Sequence, residues 1–129
     1  MKRLQIISLL LYIGVVFYLL GAIIHFFGLS VYPWFVSELH SAYHDTLIAI
    51  SSLVMAIFFF QGARHPSAKP LINAIITAGF VGGVLIIAMG TFVDFTMYHA
   101  VDKGPQAIFE GILALGLSIS LIVLRKAKR

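Results

Sequence analysis

Four long apolar runs, separated by short polar connections, make up nearly the whole sequence. The runs cover residues 4–28, 39–61, 71–98 and 106–124. Each run has about the 20 residues that an α-helix needs to cross roughly 30 Å of hydrocarbon. The connections are too short to hold a soluble domain. The pattern therefore predicts an all-α integral membrane protein, with a single transmembrane domain over residues 1–129 that folds as an antiparallel four-transmembrane-helix bundle.

Proline and glycine mark the places where the runs end. Pro66 and Pro70 interrupt the second connection, and Gly104-Pro105 precedes the fourth run, where proline's missing N–H is harmless in the first turn of a helix. The first run follows a basic N-terminus, but it is longer than the apolar region of a signal peptide and no small-residue cleavage site closes it. We therefore expect the first run to be a retained membrane helix.

The composition agrees with a surface that faces lipid. The chain is 60% hydrophobic and 11% charged, and its mean hydropathy is +1.02. A soluble domain carries about 25% charged residues, because its surface has to be hydrated. The low charge content therefore excludes an ordinary soluble domain.

The basic residues predict how the chain is oriented. All but one of the nine Lys and Arg residues fall on one side of the four-span pattern, namely Lys2, Arg3, Arg64, Lys69, Arg125, Lys126, Lys128 and Arg129. Lys103 lies on the other side. The positive-inside rule then predicts cytoplasmic N- and C-termini, in the plasma (inner) membrane. Because the cations cluster at the termini and in one connection, they indicate topology and not nucleic-acid binding.

Several kinds of chemistry are excluded or disfavoured by the residues present. The chain has no cysteine, which excludes disulfides, thiolate metal sites, iron–sulfur clusters and a cysteine nucleophile. The sequence also lacks a nucleophile elbow and a glycine-rich phosphate loop. We therefore expect a protein that is not an enzyme of the nucleophilic kind.

The acidic residues and most histidines lie on the side opposite the cations. They are Glu38, Asp45, Asp94, Asp102, Glu110, His25, His40, His44 and His99. Four of them, one in each predicted helix, lie about one to one and a half turns from the helix end. These four are His25, His44, Asp94 and Glu110. Their common depth indicates a shared layer of imidazoles and carboxylates.

Small residues predict which face of each helix is packed, because they let membrane helices approach closely. His25 continues the stripe of Gly14 and Gly21, Asp94 continues that of Gly79, Gly83 and Gly90, and Glu110 lies beside Gly111 and Ala114. In the second helix, His40, His44 and Ser51 share one face, which points His44 inward and leaves Asp45 about 100° away. The four side chains are thus predicted to converge.

Three interpretations of this convergence remain open, of which we favour a transition-metal site and take an accessory subunit as the alternative. As interhelical glue, the side chains would form pairs such as His25–Glu110 and His44–Asp94, in a non-catalytic accessory subunit of a larger membrane complex. As a metal site, His25, His44, Asp94 and Glu110 would bind Zn, Cu, Fe or Mn, with His40 and His99 in reserve. Haem b, held by two of His25, His44 and His99, is a variant.

The third interpretation is a proton-coupled transporter, because ionisable groups inside a membrane often mark a pathway. The polar residues on the cation side of the helices are few, so a continuous route across the membrane has little support. A four-helix unit of 129 residues is small for a transport path. We therefore also expect association in the bilayer, either with further copies of the chain or with other membrane subunits.

Overall fold

The computed structural model describes residues 3–31, 41–94 and 103–126. These residues form four α-helices: α1 (Arg3–Phe27), α2 (Ala42–Arg64), α3 (Lys69–Phe92) and α4 (Gly104–Lys126). All four are long and apolar enough to cross a membrane. The prediction of an all-helical chain with four candidate spans is confirmed. The bundle arrangement, the single domain and the side of the termini stay predictions.

The helix ends differ from the apolar runs by one to three residues at most places and by six residues at the end of α3. α2 continues to Arg64, three residues beyond the predicted run, whereas α3 ends at Phe92, well before residue 98. From Gly90 to Asp94 every residue is a weaker helix former than the Ala88 and Met89 before them. Hydropathy does not detect this change, because Phe92 and Val93 are as apolar as the helix itself. Asp94 therefore follows α3 and does not lie within it.

The first of two compact units, Met1–Leu71, contains α1 and α2. Ser8, near the start of α1, donates a 2.7 Å hydrogen bond to the carbonyl of Ala63, near the end of α2. His25, near the end of α1, contacts Asp45 in the first turn of α2. Contacts that run in opposite order along the two helices show that α1 and α2 form an antiparallel hairpin.

A glycine lets the two helices of this hairpin approach at mid-height. A Cβ atom added at Gly14 would overlap the ring of Phe59. Phe59 is 3% exposed, and its ring lies 5.2 Å from the ring of Tyr18, centroid to centroid. The missing side chain at Gly14 therefore makes the space that this aromatic ring fills.

The second unit, Ile72–Arg129, contains most of α3 and all of α4, and its helices approach through their backbones. A Cβ atom at Gly83 would lie 2.9 Å from the carbonyl oxygen of Gly111, and a Cβ at Gly90 would lie 2.7 Å from that of Gly104. At the opposite end, Arg125 donates a hydrogen bond to Asn73. α3 and α4 are therefore also antiparallel, and α4 occupies the glycine face of α3.

Most of the apolar surface is left outside these two interfaces. Only 17% to 28% of the most apolar window of each helix is buried. The remaining surface is made of large side chains such as Leu20, Phe26, Leu85 and Val123. In water this surface would be strongly unfavourable, whereas in a bilayer it is the surface that contacts acyl chains. The exposed apolar surface of these helices is therefore suited to contact with lipid.

We expect the backbone approach in the second unit to be sensitive to one methyl group. Gly83→Ala and Gly111→Ala should each lower the stability of the purified chain in detergent by about 1–3 kcal/mol, because the added Cβ meets a backbone carbonyl that cannot move cheaply. The measurement is the midpoint of thermal unfolding, followed by circular dichroism.

The matched controls are Gly82→Ala and Gly116→Ala, where an added Cβ meets no atom within 4 Å in the described part of the chain. These variants should be neutral or stabilised by up to about 1 kcal/mol, because alanine is the better helix former. Equal effects at Gly82 and Gly83 would contradict the backbone packing.

Candidate functional site

A short polar contact joins the two helices of the first unit. His25 Nδ1 lies 2.6 Å from Asp45 Oδ1. The side chain of Asp45 is 7% exposed and that of His25 is 25% exposed, so the contact is largely withdrawn from solvent. The antiparallel hairpin brings the two residues to the same end, although they are separated by the connection between α1 and α2.

Both oxygens of the Asp45 carboxylate accept hydrogen bonds from within the chain. Oδ1 accepts from His25, and Oδ2 accepts a 2.7 Å bond from the backbone N–H of Ser41, the residue that precedes α2. This N–H is one of the groups that a helix start leaves without an intrahelical partner. A negative charge in the first turn is also stabilised by the helix dipole. Asp45 therefore caps α2 and holds α1 with the same carboxylate.

This contact also determines the tautomer of His25. A carboxylate can only accept, so Nδ1 of a neutral imidazole must carry the proton and donate it to Asp45. The lone pair is then on Nε2. An imidazole that donates from one nitrogen to a carboxylate is well oriented, and it can act as an interhelical connector or present its other nitrogen to a proton or a metal ion.

His44 does not share this environment. Its side chain is exposed, and its Nδ1 lies 3.0 Å from the hydroxyl of Ser41. The orientation therefore differs from the prediction that His44 points inward and Asp45 elsewhere. The packed face of α2 is a stripe of Asp45, Ala49 and Ala56, all buried. Small apolar residues mark this face more clearly than the polar residues used in the prediction.

Glu110 is held by its own helix. Gln106 donates a 2.8 Å hydrogen bond from Nε2 to Glu110 Oε1, and Lys103 Nζ donates a 3.3 Å bond to Gln106 Oε1. The spacing of three and four residues places the three side chains on one face of the first turns of α4. The amide of Gln106 thus connects a cation and a carboxylate along the helix surface.

The remaining candidates are placed as follows. Asp94 is exposed and lies beyond the end of α3. His40 and His99 fall outside the described residues. The predicted pairs His25–Glu110 and His44–Asp94 each join residues of different units, and they stay predictions.

Among residues 3–31, 41–94 and 103–126, no group of three or more His, Asp or Glu side chains could hold a metal ion. Within the same ranges, every buried polar side-chain atom has a hydrogen-bond partner. Ser118, for example, is 2% exposed and donates to the carbonyl of Ala114. Comparison of the chain with protein-family models, curated proteins and solved structures gives no match.

The His25–Asp45 contact is testable by a double-mutant cycle. Asp45→Ala and His25→Ala should each destabilise the purified chain by about 1–3 kcal/mol, because each leaves a buried polar partner unsatisfied. Their coupling energy should be about 0.6–1.7 kcal/mol, the range of interhelical hydrogen bonds in membranes. Unfolding equilibria in detergent provide the values.

His44→Ala is the matched control, because it removes a histidine that precedes Asp45 but is exposed. Its effect should stay within about 0.5 kcal/mol. A larger loss at His44 than at His25, or a coupling energy near zero, would show that the contact does not join the helices.

Proposed function

We propose that this chain is a non-catalytic accessory subunit of a larger membrane complex, in which its ionisable side chains serve as interhelical glue. The observation that carries the proposal is the use of both Asp45 oxygens in structural hydrogen bonds. Glu110 likewise has a partner on its own helix. In the described residues, the polar groups therefore stabilise helices and their ends, which is the role expected of a structural subunit.

Two uncovered glycines support contact with another protein. No atom of the described residues lies within 4 Å of a Cβ placed at Gly82 or Gly116. Glycine in the interior of a helix costs about 1 kcal/mol relative to alanine, so a glycine without a close neighbour in the chain has no packing benefit to offset this cost. A second membrane helix lying against either glycine would provide that benefit, because small residues let backbones approach.

The test combines extraction in mild detergent with cross-linking in the native membrane. The tagged chain should migrate in a complex of fixed stoichiometry with other membrane subunits. Gly82→Leu should release the chain from this complex, because the larger side chain separates the helix backbones. The purified Gly82→Leu chain should remain folded by circular dichroism.

Val84→Leu is the control, because Val84 is 47% exposed on the same helix and already has a branched side chain. This variant should stay in the complex. A parent chain that cross-links to nothing would refute the accessory role. A complex that contains only copies of this chain would replace the role by self-association.

A metal site is the second candidate, and the oriented imidazole of His25 favours it. Histidines that bind metals usually donate their other ring nitrogen to a carboxylate or carbonyl, as His25 does to Asp45. The ligands would come from the predicted set of His25, His44, Asp94 and Glu110, with His40 and His99 in reserve. The ion would be Zn, Cu, Fe or Mn.

Elemental analysis separates the two candidates. The accessory role predicts no stoichiometric metal in protein purified without chelator or metal-affinity resin. The metal site predicts about one ion per chain, lost when His25→Ala is combined with Glu110→Ala, since each removes a predicted ligand. The control is His65→Ala, a histidine outside the predicted set, which should leave the metal content unchanged. A Soret band in the visible spectrum would assign the histidines to haem b.

A further inference from the structure

A groove lies where α1 begins and α2 ends, at the end of the first hairpin opposite to the His25–Asp45 contact. The groove is shallow and open, with a volume of about 530 Å³. Leu4, Leu9 and Tyr12 line it from α1, together with Gln5. Arg64 lines it from the end of α2. The groove therefore combines an apolar wall with one cationic edge.

The cation of this groove is positioned by aromatic rings. The guanidinium carbon of Arg64 lies 5.9 Å from the centroid of the Phe60 ring, within the range of a cation–π contact. Phe60 in turn meets the ring of Tyr12 edge to face, at 6.2 Å. Tyr12 lines the groove, so this row of rings keeps the charge of Arg64 beside the apolar wall.

In the described part of the first unit, Asp45 is the only carboxylate, and it lies far from Arg64. The acid on its own helix, Asp45, is in the first turn of α2, whereas Arg64 is its last residue. At about 1.5 Å per residue the two are separated by roughly 28 Å, which is several Debye lengths at physiological salt. The positive end of the α1 dipole at Arg3 and the negative end of the α2 dipole at Arg64 lie on the same side and oppose each other, so the positive charge of the groove is that of Arg64 itself. The site therefore favours an anion.

The position of the groove along the helices identifies the kind of anion. α1 starts at Arg3 and α2 ends at Arg64, so the groove lies where apolar spans give way to charged residues. That change is expected at the boundary between acyl chains and headgroups. A free phosphate would satisfy Arg64 but would leave Leu4 and Leu9 uncovered. A phospholipid satisfies both, because its phosphate and its acyl chain are joined.

We propose that this groove binds an anionic phospholipid, with the phosphate at Arg64 and the start of an acyl chain along Leu4, Leu9 and Tyr12. A headgroup with a quaternary ammonium would place a second cation beside Arg64, so phosphatidylglycerol binds in preference to phosphatidylcholine. Ser8 takes no part in binding, because its hydroxyl already donates to the Ala63 carbonyl. The assignment is independent of the accessory role and of any metal site.

The experiment is native mass spectrometry of the full chain in detergent, titrated with dioleoyl phosphatidylglycerol or with dioleoyl phosphatidylcholine. The parent should retain phosphatidylglycerol in preference. Arg64→Gln should weaken this binding roughly tenfold, the equivalent of one charge-assisted hydrogen bond. Arg64→Lys should fall between parent and Arg64→Gln, since it keeps the charge but loses the planar fork.

Two further variants complete the design. Lys126→Gln removes the same charge from a residue that does not line the groove, and it should bind like the parent. Leu9→Trp fills the groove without changing its charge, at a position that is 50% exposed and therefore tolerant, and it should also lose the lipid.

Three results would overturn the proposal. They are equal retention of the two lipids by the parent, unchanged binding by both Arg64→Gln and Leu9→Trp, or displacement of phosphatidylglycerol by millimolar inorganic phosphate. The last result would assign the cationic edge to a free anion.

Discussion

A carboxylate near the hydrocarbon of a membrane has to find its hydrogen bonds inside the protein, because lipid offers none and an unsatisfied buried charge is costly. Asp45 meets this constraint by accepting from His25 of α1 and from the backbone N–H of Ser41. The two bonds link the start of α2 to the end of α1. They thereby set the register of the hairpin at one end, and the packing of Phe59 against Gly14 continues that register along the helices.

In the described part of the second unit, the two helices pack without a buried ionisable side chain. α3 and α4 approach through glycines, and the carbonyl of Gly111 lies where a side chain at Gly83 would be. Hydrophobic burial gives helices in lipid little reason to associate, so close van der Waals contact has to replace it. The first hairpin thus depends on a directional polar contact, and the second depends on shape. Of the ionisable residues of α4, Glu110 accepts a hydrogen bond from its own helix, whereas Arg125 donates to Asn73 of α3 at the other end.

The four helices could be predicted from the sequence, because the cost of exposing backbone groups to lipid forces a long apolar run to be helical. The end of α3 could not be predicted in this way, since Phe92 and Val93 are as apolar as the residues before them. The orientation of α2 was also missed. His44 and Asp45 are adjacent and both polar, so polarity alone does not say which of them faces α1. The buried stripe of Ala49 and Ala56 contains the better signal, because it continues to Asp45 at helical spacing.

The candidate site was harder to predict than the fold, because side-chain contacts depend on how each helix is rotated about its axis. The depth of a residue along its helix can be estimated by counting residues from the helix end. Which residue it contacts depends on the rotation of the helix about its axis. One residue is a rotation of about 100°, enough to turn Asp45 instead of His44 toward α1. The distribution of charge along the length of the first hairpin is less sensitive to rotation, because Asp45 and Arg64 are separated by nearly the whole of α2. The positions of an acid at one end of α2 and a cation at the other therefore follow from sequence order, whereas the contacts of Asp45 with His25 and of Arg64 with Phe60 had to come from the structure. Together these contacts give the hairpin two chemically different ends.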